Sequence, residues 1–236
     1  MSGLATRSRE AELMDTQSVP FEVFQQYLRQ LERINIATLA YRPTVAWLVR
    51  LLSTRRMKRP LRILDVGFGN GDLLRRMALW ARRRGVKLEL AGVDLNPWSA
   101  RAAALATPPG LGIDYRVGDV FDWPAHRAVD VVVSSLFTHH LSDGALVRFL
   151  CWMDQTAAVG WLTNDLHRHA VPYAVVKAAA RVVPVHRMIR HDAPLSVARG
   201  FTKPEWEQFI AQAGLDAGRV AIEWFFPFRY TVSAIR

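Results

Sequence analysis

The sequence predicts an α/β protein with a mostly parallel sheet, and three features of its 236 residues support this fold class. From residue 61 onward, short apolar runs alternate with segments of helical periodicity, as in βαβ units. The run VDVVVS at 129–134 is almost entirely apolar, which indicates a strand covered on both faces. The last two runs are separated only by Pro227 and Phe228, and so short a link permits only an antiparallel pair.

The N-terminal part is predicted to be helical. Apolar residues at helical spacing indicate helices at 21–32 and 44–53, behind a polar tail at 1–10 that we expect to be frayed. Lys58, Arg59 and Pro60 interrupt the pattern. We therefore divide the chain into an N-terminal helical lid, residues 1–57, and an α/β domain, residues 58–236.

Within the α/β domain, strands and helices alternate in chain order. Strands are expected at 61–66, 87–93, 112–117, 129–134 and 160–163, and helices at 72–84, 97–105 and 141–158. An apolar stretch at 171–189 is expected to form a core-facing helix, followed by an irregular segment at 190–202. Thr202 then caps a helix at 203–213, and the terminal strands span 220–226 and 229–235.

Composition narrows the class of protein further. The single cysteine, Cys151, excludes an internal disulfide and a cysteine-based metal cluster; no metal centre is predicted, and a reducing cytoplasm fits best. The net charge is +10, but only four of the 31 basic residues are lysines, a skew that often follows base composition. It is weak support for a nucleic-acid partner. No signal peptide and no run of about 18 apolar residues is found, although 171–189 leaves a peripheral membrane contact open.

The string ILDVGFGNGD at 63–72 carries the clearest chemical signal. Gly67, Gly69 and Gly71 lie between a strand and a helix, where glycine lets backbone N–H groups approach a ligand closely. A dinucleotide fingerprint would require its third glycine at position 72, which is Asp72. Instead the glycines follow Asp65, whose carboxylate would repel a pyrophosphate but suits the ammonium and sulfonium of S-adenosylmethionine (SAM).

Two more carboxylates follow the next strands. Asp94 ends the second strand, where it can accept both hydroxyls of a ribose, and Asp119 follows the third, where it can accept from an adenine amino group. Val120 and Phe121 offer apolar surface to the adenine ring. Because ligands of open parallel sheets bind at the carboxyl ends of the strands, the three carboxylates are expected at one edge.

This ordered set resembles the class I SAM-dependent methyltransferases. ILDVGFGNGD matches the first motif of that family, Asp94 its ribose acid, and GDVFDWP its adenine motif. VDVVVSSLFTHHLSD resembles the fourth-strand motif of the small-molecule branch related to ubiquinone-biosynthesis methyltransferases. The resemblance implies a Rossmann-like, seven-stranded, mostly parallel sheet with an antiparallel C-terminal hairpin. It also implies a cofactor site for SAM, and for its product S-adenosylhomocysteine (SAH), made of Asp65, Gly67, Phe68, Gly69, Gly71, Asp94, Leu95, Asn96, Asp119, Val120, Phe121, Ser135, Leu136 and Arg33.

The catalytic candidates are histidines. Transfer of a methyl group to a hydroxyl benefits from a general base tuned near neutral pH. His139 and His140 follow the fourth strand, beside the expected methyl donor, and His167 follows the fifth. In the N-terminal lid, Arg33 is a candidate partner for the methionine carboxylate of SAM.

The resemblance predicts methyl transfer to a small molecule, and our choice is a phenolic or quinol-like, polyketide-type hydroxyl on a lipophilic aromatic acceptor. Three alternatives stay open: carbon methylation of a quinone-type precursor, methylation of rRNA or tRNA, and a non-catalytic SAM-binding subunit. SSLFTHH stands where amino-methylating DNA enzymes usually carry a Pro-Pro-aromatic string, which argues against a nucleic-acid substrate. The oligomeric state, monomer or homodimer, is not determined by the sequence.

Overall fold

The computed structural model describes residues 4–55, 59–124 and 126–236, so the predicted boundary between residues 57 and 58 lies outside the described residues. In the described part, seven strands form one sheet. They are β1 (Leu61–Val66), β2 (Leu88–Asp94), β3 (Ile113–Val117), β4 (Val129–Ser135), β5 (Ala157–Leu166), β6 (Val220–Phe225) and β7 (Arg229–Ile235). Their spatial order is β3-β2-β1-β4-β5-β7-β6. The first five strands pair in parallel, and β7 is antiparallel to both β5 and β6, which confirms the predicted fold class.

Helices cover both faces of this sheet. They are α1 (Leu13–Thr16), α2 (Phe21–Ala37), α3 (Arg42–Ser53), α4 (Asp72–Arg84), α5 (Ser99–Ala106), α6 (Asp143–Thr156), α7 (Ala170–Val182), α8 (Arg187–Arg199) and α9 (Lys203–Gln212). Strand β4 is buried on both sides: Val132 packs in the core shared with α6 and α9, whereas Val131 and Val133 pack in the core shared with α3 and α4. This explains why its sequence is apolar at nearly every position.

Strand β5 begins earlier and ends later than predicted. Helix α6 ends at Thr156 although Ala157 and Ala158 are good helix formers, because Ala157 pairs with Val129 of β4. At its other end β5 continues to Leu166, where it still pairs with Arg229 of β7. Tertiary pairing overrides local propensity at both ends.

The N-terminal tail was expected to be frayed, and the structure contradicts this for residues 4–10. Arg7 Nη1 bonds Asp143 Oδ1 at 2.7 Å, and its guanidinium stacks over Phe201. Ser8 N donates to Ala198 O at 3.0 Å. The tail is therefore packed against α8 and the loop that precedes α6.

The segment expected to be irregular at 190–202 is mostly helix α8, with Pro194 inside it. Asp192 explains how the helix is held, because its buried carboxylate accepts from the backbone N–H groups of Leu13 and Met14. The stretch at 171–189, expected to form one core-facing helix, instead forms most of α7 and the start of α8. Ala180 is the only buried residue of α7, whereas Met188 and Ile189 of α8 are buried in a core cluster. In the described part of the chain, no helix is long and apolar enough to cross a membrane.

Candidate active site

A cavity of about 840 Å³ opens at the carboxyl ends of the parallel strands. Its floor comes from the loops after β1, β2, β3 and β4. Its cover comes from α2, from residues 11–15 and from one side of α8. The N-terminal region thus lies over the sheet edge at which the sequence places the carboxylates.

The turn after β1 adopts the backbone that glycine favours. Gly67, Gly69 and Gly71 all have positive φ, and Gly69 N donates to Asp94 Oδ2 at 2.9 Å. A Cβ on Gly67 would meet the ring of Phe137 at 2.5 Å. A Cβ on Gly69 would meet only Leu28 Cδ2, at 3.7 Å, in the region where both residues line the cavity. Gly69 therefore leaves room at the cavity surface, whereas Gly67 makes room for packing.

Asp65 is a buried carboxylate at the end of β1 that lines the cavity. It has no hydrogen-bond partner among the described residues. Burial, together with the neighbouring Asp72 and Asp94, raises its pKa well above the ordinary value. A cation placed beside it would relieve this repulsion and restore the charged form.

Asp94 is held in place by backbone donors. Its Oδ2 accepts from Gly69 N and its Oδ1 from Asn96 N, each at 2.9 Å. Burial raises its pKa, and these two hydrogen bonds oppose the shift. The Ser99 hydroxyl also lowers the pKa of this carboxylate, which lines the cavity, where it can accept from a ribose hydroxyl. Leu95 and Asn96 complete this part of the wall.

Asp119 begins the short turn after β3. Its Oδ1 accepts from Phe121 N at 2.9 Å, and Val120 and Phe121 follow it on the cavity wall. The Phe121 ring is fixed from behind by the guanidinium of Arg148, 3.7 Å from its centroid. This is the apolar surface with an adjacent carboxylate that an adenine needs.

These residues fit SAM on three independent points. An unpartnered buried carboxylate, Asp65, suits its ammonium; Asp94 suits its ribose; the Asp119–Phe121 turn suits its adenine. Gly69 leaves the space beside them open. Ser135 and Leu136 line the cavity after β4, and Ser135 Oγ accepts from Asn164 Nδ2 at 3.0 Å.

His139 is a buried imidazole on the acceptor side of the cavity. Its Nδ1 lies 2.7 Å from Asp165 Oδ1. The other carboxylate oxygen, Asp165 Oδ2, accepts from Thr138 Oγ1 and from His139 N. Burial would raise the pKa of Asp165, but His139 and these donors hold it well below the ordinary value. The other ring nitrogen of His139, Nε2, lies on the side of Glu12, which also lines the cavity.

His140 is held in the same way. Its Nδ1 lies 2.7 Å from Asp15 Oδ2, and its ring packs 4.3 Å from that of His139. Burial lowers its pKa, but Asp15 and Glu12 outweigh burial and raise it. Glu12 Oε1 lies 3.5 Å from His139 Nε2, and Glu12 Oε2 lies 4.0 Å from His140 Nε2. The three side chains are close enough to hold a metal ion, although no metal centre is predicted.

Four residues that line this wall were not predicted from the sequence, namely Glu12, Asp15, Arg199 and Arg229. Arg199 Nε donates to His139 O at 2.9 Å. Arg229 is buried; Nη2 donates to Thr38 Oγ1, while Nε and Nη1 have no partner among the described residues. Burial lowers its pKa to about 10. No motif marks these residues, because they lie far from the glycine turn in sequence.

Three predicted site residues lie away from the cavity lining. Arg33 is exposed on the outer side of α2, while its neighbour Glu32 lines the cavity. His167 packs among the aromatic residues of the β6–β7 hairpin, where its Nδ1 accepts from Trp224 Nε1 at 3.2 Å. A Cβ on Gly71 would meet the Tyr115 hydroxyl, so this glycine serves packing between α4 and β3.

Comparison with known proteins agrees with this geometry. Residues 63–160 match a family model described as a methyltransferase domain. Residues 63–160 therefore carry the methyltransferase domain that this family model describes. This agrees with the family and with the cofactor, SAM, that the sequence predicts. The matched span runs from β1 into β5 and holds Asp65, Asp94, Asp119 and the two cavity histidines.

Curated relatives include trans-aconitate 2-methyltransferases. The one from Mycobacterium tuberculosis (strain ATCC 25177 / H37Ra) is 30% identical over 178 residues, which are 74% of this chain and 62% of the relative. The protein from Mycobacterium marinum (strain ATCC BAA-535 / M) is 29% identical over 178 residues, again 74% of this chain and 62% of the relative. This chain thus spans less than two thirds of the length of these curated relatives.

Solved structures share the fold. The plantazolicin methyltransferase BpumL, solved with SAH, superposes with a TM-score of 0.60 at 14% identity, covering 94% of this chain and 88% of that one. Magnesium protoporphyrin IX methyltransferase from Synechocystis PCC 6803, also with SAH, gives a TM-score of 0.56 at 15% identity, covering 93% and 89%.

Proposed function

We propose that this methyltransferase transfers the methyl group of SAM to an oxygen of a small molecule, most specifically a phenolic or quinol-like hydroxyl of a polyketide-type acceptor. The observation that carries the proposal is that one cavity holds the cofactor carboxylates at one side and the oriented imidazole of His139 at the other. We place the reaction in the reducing cytoplasm, in agreement with the single cysteine.

The residues on the cofactor side of the cavity bind and orient SAM. SAM supplies a methyl group that its sulfonium has already activated, so the chain mainly aligns and desolvates the two partners. Asp65 holds the ammonium, Asp94 the ribose hydroxyls, and the Asp119–Phe121 turn the adenine. Of the predicted lid, residues 1–57, helix α2 covers the cavity, whereas α3 packs in the core of the sheet. Phe24, Tyr27 and Leu28 of α2 are buried and line the cavity, and thus exclude water from the reacting atoms.

On the acceptor side of the cavity, the proton of the acceptor hydroxyl has to be removed. With Nδ1–H directed at Asp165, His139 presents Nε2 as the atom that takes the proton of the acceptor hydroxyl. His140, paired with Asp15, lies beside it and supports the position of the acceptor oxygen. His167 lies outside the cavity and is not assigned this role.

The walls favour an aromatic acceptor with an apolar substituent. Phe24, Leu31, Phe137 and Val176 line the cavity and offer contact to a ring and an alkyl chain. The cations Arg199 and Arg229 favour a second candidate, a carboxylate acceptor. Since the relatives are named for trans-aconitate, a polycarboxylate, methyl-ester formation on such an acid is the candidate that this pair of arginines supports.

The test is a reaction with isotopically labelled SAM and a panel of phenols, quinols, trans-aconitate and RNA, read by mass spectrometry. We expect label on phenolic oxygen. Label on trans-aconitate alone would favour the second candidate, and label on RNA alone would overturn the small-molecule proposal. His139→Ala and His140→Ala are expected to slow turnover more than they weaken SAM binding; unchanged rates would exclude both as groups that act on the acceptor.

A further inference from the structure

Helix α7 packs against α8 on one side, and its other side is apolar and exposed. Its sequence, AVPYAVVKAAARV, contains no acidic residue, and only Ala180 is buried. Val175 is 61% exposed and Val182 is 81% exposed. Exposed apolar side chains that recur along one helix indicate a contact surface rather than scattered surface residues.

The tip of the β6–β7 hairpin extends this apolar surface. Phe226 is 68% exposed, and Trp224 is also exposed. His169, the N-cap of α7, stacks on Phe228 at 5.1 Å between ring centroids. The start of α7 and the hairpin tip therefore lie side by side. We call α7, the segment 183–186 and the hairpin tip together the α7 surface.

The charge of this region has one sign. Residues 167–191 contain no aspartate or glutamate. Lys177, Arg181, Arg187 and Arg190 are exposed and form no salt bridge within the described residues. Cations interspersed among exposed apolar residues are typical of helices that lie at the surface of an anionic bilayer.

The α7 surface also adjoins the cavity. Val176, which follows the exposed Val175, lines the cavity on the acceptor side. A lipophilic molecule dissolved in a membrane under α7 would thus be separated from the acceptor site by a single helix.

We propose that the α7 surface docks this protein on an anionic lipid bilayer. Val175, Val182 and Phe226 enter the boundary between headgroups and acyl chains, while Lys177 and Arg181 contact the anionic headgroups. Docking does not depend on the proposed function; delivery of a lipophilic phenol from the bilayer through α7 rests on it.

The test is sedimentation of the full chain with vesicles of phosphatidylcholine alone or of an equimolar mixture with phosphatidylglycerol. We expect binding only to the mixture, weakened by salt. Each basic residue near such a surface contributes about 1 kcal/mol, so K177E/R181E should weaken partitioning by about 30-fold or more. Val175→Asp should also weaken it. Leu105→Asp is the matched control, because Leu105 is 63% exposed on α5 and lies outside the α7 surface.

Three results would overturn docking: equal binding to both kinds of vesicle, no binding to either, or equal losses for Val175→Asp and Leu105→Asp. Light scattering without vesicles tests whether a second copy of the chain, rather than a bilayer, covers the α7 surface. A dimer that Val175→Asp dissociates would assign the α7 surface to a second copy of the chain. Turnover of a water-soluble phenol should be unchanged in Val175→Asp. If neither the wild type nor the variants turn over the phenol, the result would count against the proposed function and not against docking.

Discussion

Gly69→Ala isolates the contribution of the glycine turn to cofactor binding. Both Gly69 (φ +53°) and Gly85 (φ +66°) have left-handed backbones, and both have room for a Cβ. Alanine there costs about 1–2 kcal/mol in backbone strain, or roughly 2–8 °C in Tm for a chain of this size. Gly85 ends α4, away from the cavity, so Gly85→Ala should show the stability loss alone.

Only Gly69→Ala should also weaken SAH binding. Its methyl group would occupy cavity space beside Leu28 that the bound cofactor is expected to fill, and overpacking against the cofactor costs about 1–3 kcal/mol, or about 5- to 150-fold in affinity. Calorimetric titration with SAH, together with thermal unfolding of both variants, measures the two effects separately. If Gly69→Ala and Gly85→Ala bind SAH equally well, the glycine turn does not approach the cofactor and this part of the account is wrong.

Three further predictions concern the proton on His139, a metal requirement and the stability of the fold. Asp165→Asn should lower kcat by about 10³–10⁴-fold with SAM affinity nearly unchanged, because an amide no longer fixes the proton of His139 on Nδ1; a small kcat effect in rapid-quench assays would argue against the pair. Turnover should survive EDTA, since sulfonium chemistry needs no Lewis acid; loss of activity that Zn²⁺ restores would instead place a metal between Glu12 and the histidines. Asp130→Asn should lower the free energy of unfolding by about 1 kcal/mol at neutral pH, because the Asp130 carboxylate accepts from Arg59 and Arg62, whose guanidinium groups are partly exposed and screened by solvent. Urea titration should find wild type and variant converging as the pH falls below the usual aspartate range, since these arginines hold the pKa of Asp130 low against burial, and a constant difference would contradict this.

The cofactor side of the cavity could be predicted from the sequence because its residues follow strands directly. Asp65, Asp94 and Asp119 each stand at the end of a parallel strand, and the topology brings such ends to one edge. A short motif therefore fixes both the chemistry and the position. His139 could be anticipated for the same reason, since it follows β4 after four residues.

The acceptor side could not be predicted in the same way. Glu12 and Asp15 reach the histidines from the N-terminal segment, and that segment is ordered by Asp192, which lies about 180 residues away. Arg229 enters the wall only because β7 runs antiparallel beside the end of β5. Helix α7 was misjudged because an apolar sequence alone does not show whether it is covered by the protein or by another surface.

The most direct test of the central claim is a crystal structure of the protein grown with excess SAH. The account predicts SAH in the cavity, with its ammonium at Asp65, its ribose hydroxyls at Asp94 and its adenine beside Phe121. A cavity without SAH at saturating concentration, or SAH bound at any other place, would contradict the claim that this sheet edge recognises the cofactor.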